Sequence, residues 1–174
     1  KEMMDLLALK MVEKNIVGKK LVLTIGYDKD NQNYTGEVKE DFYGRKIPKH
    51  AHGTIDLPQM TASSKLMMEA IVTLFERIVD ASLLIRRINI TVCHLDYYQE
   101  DLHHYVQYHL FEDLSLQEQK YQTMQQSLKE ERKLQQAMIT IKNKYGKNAI
   151  LKGMNLQEGA TTKDRNNQIG GHKA

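Results

Sequence analysis

Alternating apolar and polar positions predict three strands in the first part of the chain. In residues 20–27 the apolar positions on one side are Leu21, Leu23, Ile25 and Tyr27, with Lys20, Val22 and Thr24 on the other. Residues 50–58 and 84–95 alternate in the same way, and Pro58 is expected to close the second of these strands. A period of two residues is typical of a strand with one buried face.

Segments with helical spacing of apolar residues lie before, between and after these strands. Residues 2–16 predict a helix with Gly18 just past its end, and residues 115–145 predict a second helix that ends at Gly146. The clearest helix lies between the second and third strands, where Ser63 or Ser64 is a suitable N-cap. Its apolar face is formed by Leu66, Met67, Ala70, Ile71, Leu74 and Ile78. The helix over 115–145 has a narrower stripe, formed by Leu134, Met138, Ile141 and Tyr145.

The order of these elements predicts an α+β fold: an antiparallel sheet with two helices on one face, followed by a C-terminal helical extension. We place the first domain at residues 1–112, the helical extension at 113–146 and a basic, partly flexible tail at 147–174. The polar stretch over 28–49 is long enough to be a functional loop or the tip of a hairpin. The small, polar residues 158–174 predict disorder or docking on a partner.

The face of the sheet opposite the helices is rich in hydrogen-bond donors. It is expected to present Lys20, Val22, Thr24, His52, Thr54, Arg87, Asn89 and Thr91, with Lys46 and Lys49 nearby. Only Asp56 adds an acid. A one-sided antiparallel sheet normally turns polar residues to water, so the pattern fits a solvated face. The same side chains also fit the phosphate oxygens of a nucleic acid backbone.

Composition and charge add a few constraints. Residues 129–174 contain ten Lys or Arg and four Asp or Glu, a net charge of +6, whereas the remainder has fifteen against eighteen, a net of −3. Such a basic segment suits a polyanion, although solvated helix faces produce the same count. Cys93 is the single cysteine, which indicates a reduced, cytoplasmic setting. The sequence has no apolar run that predicts a membrane span, and its start without Met predicts a piece of a longer protein.

No catalytic or metal-binding set can be assembled from the motifs. His50 with His52, and His103 with His104, lack a carboxylate or thiol at ligand spacing. Asp28 begins a pattern like a calcium loop, but the later positions of that loop carry the wrong residues. We find no phosphate loop, nucleophile elbow or Cys–His pair. The sequence therefore predicts a chain without catalytic residues, metal site or bound cofactor.

Four segments together resemble a known family. They are LVLTIGYD, GRKIPKHAHGT, LLIRRINIT and the stretch from KNKYGKNAI to RNNQIGGHKA. They are similar to the C-terminal part of UmuC/DinB-type Y-family translesion DNA polymerases of Gram-positive bacteria, over nearly the whole chain. The matching region would be the little finger domain plus its tail. The palm domain, with its catalytic carboxylates and Mg²⁺, would lie upstream.

The resemblance implies a fold and a set of contacts. The family fold has two repeats of strand, helix and strand, and the first strand is expected to be missing here. The sheet face would hold primer-template DNA by its backbone without reading the base sequence. The residues this assigns to DNA are His52, Thr54, Arg86, Arg87 and Thr91, to which the pattern adds Lys46 and Lys49.

A short peptide near the end of the first domain resembles a docking motif for the bacterial sliding clamp. In Gln107 to Phe111, the residues Gln107, Leu110 and Phe111 match the motif, while Tyr108 stands where Leu is usual. The alternative is an edge strand whose Leu110 and Phe111 pack on the core.

Two functions are therefore expected from the sequence. The first is the DNA-binding and clamp-docking part of an error-prone translesion polymerase that acts in DNA repair and the SOS response. The alternative is a non-catalytic protein–protein interaction module, in which the helix over 115–145 pairs with a partner and the sheet face stays solvated.

Overall fold

The computed structural model describes residues 1–31, 34–99, 114–169 and 172–173, which form two compact units. The first unit contains residues 1, 3–5 and 18–96. The second contains residues 2, 6–17 and the described residues from 97 onward. The predicted boundary between residues 112 and 113 lies outside the described residues, so the domain bounds stay a prediction.

The elements alternate between helix and strand before a long helical part. The helices are α1 Glu2–Glu13, α2 Ser64–Ile78, α3 Leu114–Tyr145 and α4 Thr162–Asn166, and a 3-10 turn lies at Gly153–Leu156. The strands are β1 Ile16–Tyr27, β2 Val38–Glu40, β3 Lys46–Pro48, β4 Ala51–Thr61, β5 Ile85–Tyr97, β6 Gln168–Ile169 and β7 His172–Lys173.

The first unit is built on a sheet of three strands in the order β4-β1-β5. The central strand β1 pairs with β4 in antiparallel register, with Leu21 opposite Ile55 and Val22 opposite Thr54. Two further short strands, β2 and β3, form a hairpin in the connection between β1 and β4. Mixed helices, an antiparallel sheet and a C-terminal helical part confirm the α+β class.

The predicted alternation of β1 is confirmed by burial. Leu21, Leu23 and Ile25 are at most 1% exposed, whereas Lys20 and Thr24 between and beside them are half-buried. The strand β4 differs in length, because it continues past Pro58 to Thr61 instead of ending there. Proline is tolerated at this position because β4 is an edge strand, whose outer backbone N–H groups have no partner strand to bind.

The helix α2 packs on β4. The Ser63 hydroxyl accepts a hydrogen bond from the Leu66 N–H at 3.2 Å, which confirms Ser63 as the N-cap. A Cβ added to Gly53 would lie 2.9 Å from both Leu74 Cδ1 and Ile78 Cγ2. Glycine is therefore required at position 53 for the close approach of α2 to the sheet.

The first helix ends earlier than predicted. Asn15, not Gly18, leaves the helical conformation, with a φ of 55°. Asparagine adopts this left-handed region more readily than most residues, and β1 begins at the next residue. Gly18 instead lies within β1, where the pairing with β4 becomes irregular between Gly18 and Lys20.

The long helix α3 belongs to the second unit and ends as predicted. Gly146 follows its last residue with a φ of 98°, a conformation that glycine adopts without steric cost. The predicted stripe is only partly buried, because Met138 is 5% exposed while Leu134 and Tyr145 are 60% and 67% exposed. The buried side of α3 is rotated toward Gln135, which is 3% exposed.

Residues 153–167 are ordered by hydrogen bonds to one carboxylate within the second unit. Glu2 Oε1 accepts from Asn155 Nδ2 at 3.0 Å, and Glu2 Oε2 accepts from the Thr161 N–H at 2.9 Å. Asn155 and Thr162 are 8% and 1% exposed. In the described part of residues 158–174, a short helix whose first residues bind Glu2 stands where disorder was one expectation, and docking on a partner stays a prediction.

These contacts change the acidity of Glu2. Burial of the carboxyl would raise its pKa, but hydrogen bonds from Asn155, Thr161 and Thr162 outweigh burial and lower the pKa from 4.5 to about 2. The folded state therefore binds this proton more weakly than the unfolded state does. The stabilisation is complete above pH 4.5 and is lost as the pH falls through about 2.

We predict that Glu2→Gln loosens residues 153–167. The amide group of Gln brings donor hydrogens against the Thr161 and Asn155 donors, so at least one of these hydrogen bonds breaks. Amide hydrogen exchange at neutral pH should become faster at Thr161 and Thr162 and stay unchanged in β1 and β4.

Glu158→Gln is the matched control, since Glu158 is an exposed carboxylate on the same segment. It should leave exchange at Thr161 and Thr162 unchanged. Equal exchange rates in wild type and Glu2→Gln would show that the carboxylate does not hold this segment.

Candidate nucleic-acid interface

The outward face of the sheet collects polar side chains from all three strands of the first unit. Because side chains of a strand alternate between two faces, those between the buried positions all point to the other side. The members of this outward face are Lys20, Val22 and Thr24 on β1, His52, Thr54 and Asp56 on β4, and Arg87, Asn89 and Thr91 on β5. The β4 and β5 members are exposed and the β1 members are half-buried.

Two cross-strand contacts link β1 and β4 on the outward face. Thr24 lies opposite His52, and Thr24 Oγ1 is 3.0 Å from His52 Nδ1. Lys20 lies opposite Asp56, and its Nζ is 3.5 Å from Asp56 Oδ1. The single acid of the outward face is therefore paired with a lysine, and Arg87 adds a positive charge on the far strand.

The two neighbouring arginines of β5 point in opposite directions. A Cβ added to Gly26 would lie 3.5 Å from the Cβ of Arg87, so Arg87 shares the face of the outward β1 residues. Arg86 alternates with it and lies on the face of Ile88, which is half-buried. The structure therefore groups Arg87 with Thr91, His52 and Thr54, and does not group Arg86 with them.

The two predicted lysines lie on the hairpin rather than on the main sheet. Lys46 is an exposed residue of β3, which pairs with β2 in a separate sheet. Lys49 follows β3, and its Nζ donates to Glu37 Oε1 at 2.9 Å. Lys46 therefore lies apart from the outward face, and the charge of Lys49 is balanced by Glu37.

A histidine at the base of the hairpin has a lowered pKa, first through burial and then through neighbouring positive charges. His50 loses part of its hydration, and Lys39, His52 and Lys49 add positive charge around it, so its pKa falls below 6.5. Lys39 Nζ lies 2.8 Å from His50 Nδ1, a contact in which the neutral ring accepts the hydrogen bond.

The hairpin also contains a well-defined turn that the sequence pattern left open. Asp41 Oδ1 accepts from the backbone N–H groups of Tyr43 and Arg45, each at 2.9 Å. The signal was available, because a short loop with a glycine between two strand-like segments is typical of a hairpin. The network around Glu2 has no such signal, since it joins residues about 150 positions apart in sequence.

The remaining predictions concern the clamp peptide, metal binding and membrane spans. The predicted clamp peptide, with Gln107, Leu110 and Phe111, lies outside the described residues. Within residues 1–31, 34–99 and 114–169, no group of three or more His, Cys, Asp or Glu side chains could hold a metal ion. A search of the described helices finds none with the length and apolarity needed to cross a bilayer.

One protein-family model matches a large part of this chain. The model of the impB/mucB/samB family C-terminal domain matches residues 1–110 of the 174-residue chain. The chain therefore belongs to this family, the little finger domain of Y-family DNA polymerases, which confirms the resemblance to Y-family polymerases for this part of the chain. Membership implies DNA binding and a part in DNA damage tolerance.

Searches of curated proteins and of solved structures found no significant match to this chain.

Proposed function

We propose that the outward face grips the backbone of primer-template DNA, without sequence specificity, as part of an error-prone translesion polymerase. Such a protein would act in DNA repair and the SOS response, in the cytoplasm of a Gram-positive bacterium. The family membership supports a DNA-binding role. The arrangement of the outward face supports the backbone as the target.

The observation that carries the proposal is the set of donors on one surface. Thr24, His52, Thr54, Arg87 and Thr91 share the outward face, while the opposite face of β1 is buried. Hydroxyl and guanidinium groups bind phosphate oxygens, and contacts of this kind fix a protein on DNA without reading bases. The only acid there is already paired with Lys20, so it repels phosphates less than a free carboxylate.

We propose that the catalytic step of the polymerase takes place in another domain. The metal-binding carboxylates and the Mg²⁺ of such an enzyme would belong to a palm domain, and this chain would supply only grip and positioning. Such binding would keep the template near the active site for longer. A domain without catalytic residues would increase the rate of synthesis in this way.

We also propose that Gln107, Leu110 and Phe111 dock on the bacterial sliding clamp. Burial of Leu110 and Phe111 in a partner pocket would contribute about 1.5–3 kcal/mol for each side chain before the cost of ordering the peptide. That range suits a transient tether that the polymerase can release after bypass.

One observation favours the alternative, a protein interaction module. The helix α3 exposes Leu114, Leu116 and Leu134, each at least half exposed. Apolar side chains on an exposed helix are the usual material of a helix-pairing surface. This alternative requires the outward face to stay solvated, so DNA binding separates the two functions.

The arginine pair of β5 provides the test of DNA binding. We predict that Arg87→Ala weakens binding to primer-template DNA, whereas Arg86→Ala, one residue away and on the other strand face, leaves it nearly unchanged. The plot of log affinity against log salt concentration should become shallower by about 0.9 for each phosphate contact that is lost. Fluorescence anisotropy of labelled primer-template DNA over a range of salt concentrations measures both effects.

The proposal fails if binding hardly responds to salt, or if Arg86→Ala and Arg87→Ala are equally harmless. In either case the sheet face is solvated, and the interaction module becomes the better account. A change in base sequence at constant length should not alter the affinity, because the contacts are to the backbone.

The clamp peptide calls for a separate measurement. We predict that the chain binds a bacterial sliding clamp and that Leu110→Ala/Phe111→Ala abolishes this binding. The control is Leu134→Ala, which removes an apolar side chain that is 60% exposed on α3 and should have no effect. If the double variant binds as well as wild type, Leu110 and Phe111 are not a clamp peptide.

A further inference from the structure

The hairpin of β2 and β3 ends in two aromatic rings that are almost fully exposed. Val38 pairs with Pro48 and Glu40 with Lys46, which leaves residues 41–45 as the turn. In this turn Phe42 is 96% exposed and Tyr43 is 76% exposed. Large apolar rings at such exposure gain free energy from almost any flat apolar contact.

The rings are held on a defined turn. Besides accepting from the backbone N–H groups of Tyr43 and Arg45, Asp41 accepts from Arg45 Nε at 2.8 Å and pairs with Arg45 Nη2 at 2.6 Å. The Gly44 N–H donates to the Asp41 carbonyl at 3.0 Å, and Gly44 has a φ of 73°. Pre-ordering of this kind reduces the entropy that binding must overcome.

Hydrogen bonds from the Arg45 side chain and from the backbone N–H groups of Arg45 and Tyr43 lower the pKa of Asp41 from 3.8 to about 2. The carboxylate that orders the turn therefore stays charged at every pH at which binding would be measured.

The rings and the arginine form one surface. The ring centroids of Phe42 and Tyr43 lie 5.4 Å apart with an interplanar angle of 88°. The Arg45 guanidinium carbon lies 4.9 Å from the centre of the Tyr43 ring. Exposed aromatic rings combined with an arginine are the usual means by which proteins stack on the bases of single strands.

The charges of the hairpin are compatible with a polyanion as the occupant, because residues 37–49 carry four Lys or Arg against three Asp or Glu, a net charge of +1. Two of these acids, Glu37 and Asp41, are paired with Lys49 and Arg45. Of the other charged residues, Lys39 contacts the neutral ring of His50, and Lys46 and Glu40 lie opposite each other on the two strands. The connection then runs through His50 into β4, which carries His52 and Thr54 on the outward face.

We propose that the aromatic tip, Phe42 and Tyr43, stacks on an unpaired base of single-stranded nucleic acid next to the duplex. This inference rests on the proposed function, because the outward face would hold the duplex and the hairpin would meet the strand beyond it. Stacking tolerates every base, so the contact adds affinity without sequence readout.

The test compares a blunt duplex with the same duplex carrying a single-stranded template extension. Wild type should bind the extended duplex more tightly, and Phe42→Ala/Tyr43→Ala should lose this preference while keeping its affinity for the blunt duplex. We expect the double variant to weaken binding to the extended duplex by about 10-fold or more, which corresponds to about 1.4 kcal/mol. Because both rings are exposed, their removal should not affect folding.

Two further variants separate the role of the rings from other causes. Tyr145→Ala removes a ring that is 67% exposed on α3 and should have no effect on either duplex. Asp41→Ala keeps both rings but releases the turn, and should reduce the preference for the extended duplex without abolishing it. Asp41 is thus a positioning residue. Its variant should reduce the preference for the extended duplex and leave the affinity for the blunt duplex unchanged.

A direct spectroscopic test is possible because the chain contains no tryptophan. In Phe42→Trp the new indole is the only one, and its emission should be quenched when single-stranded oligonucleotide is added, since the ring then stacks on a base. If the oligonucleotide does not change the emission, the inference is wrong. It is also wrong if only a protein partner changes the emission.

The outcomes distinguish the two proposals. If wild type binds blunt and extended duplexes equally well, or if the ring variant keeps the preference, the stacking inference is wrong and the duplex grip stands. If wild type binds neither duplex, both proposals are wrong. A preference that disappears only with the two rings supports the stacking inference.

Discussion

The alternating burial of β1 is the constraint on which the rest of the first unit depends. Leu21, Leu23 and Ile25 are nearly inaccessible to water, and each contributes about 1.5–3 kcal/mol by its burial. A shift of one residue would expose this whole set and bury Lys20 and Thr24 instead. The hydrophobic requirement on one face therefore fixes which side chains the other face presents, and the register with β4 then brings Thr24 to His52.

The outward face and the hairpin tip represent two ways to bind the same polymer. The outward face offers hydroxyl, imidazole and guanidinium groups at strand spacing, which suits a regular array of phosphates. The tip offers two exposed rings beside the Arg45 side chain, which is paired with Asp41, and this arrangement suits a base that has left the stack. Both need side chains that the fold does not use for its own stability. The sheet buries Leu21, Leu23 and Ile25 on the other face of β1. The Asp41 carboxylate orders the tip from within the turn.

Local patterns predicted the sheet and the N-cap of α2. Burial of one strand face requires alternating apolar residues, and an unpaired helix N–H favours a serine just before the helix, so both signals lie within a few residues. The end of α1 was misplaced because Asn15 can adopt a left-handed conformation as glycine does, and β4 runs through Pro58 because an edge strand needs no N–H there. The network of Glu2 with Asn155 and Thr162 could not be predicted, because no local sequence pattern in either segment indicates its partner. The split of Arg86 from Arg87 follows from alternation once the strand start is known.

The most direct test of the account is a map of backbone amide chemical shifts during titration with primer-template DNA. The account predicts that the largest changes occur at Thr24, His52, Thr54, Arg87 and Thr91, in the first unit, with smaller changes at Arg86. Changes at α3 and residues 147–169, with an unaltered outward face, would contradict it, because DNA would then bind the basic segment after residue 128 instead of the sheet.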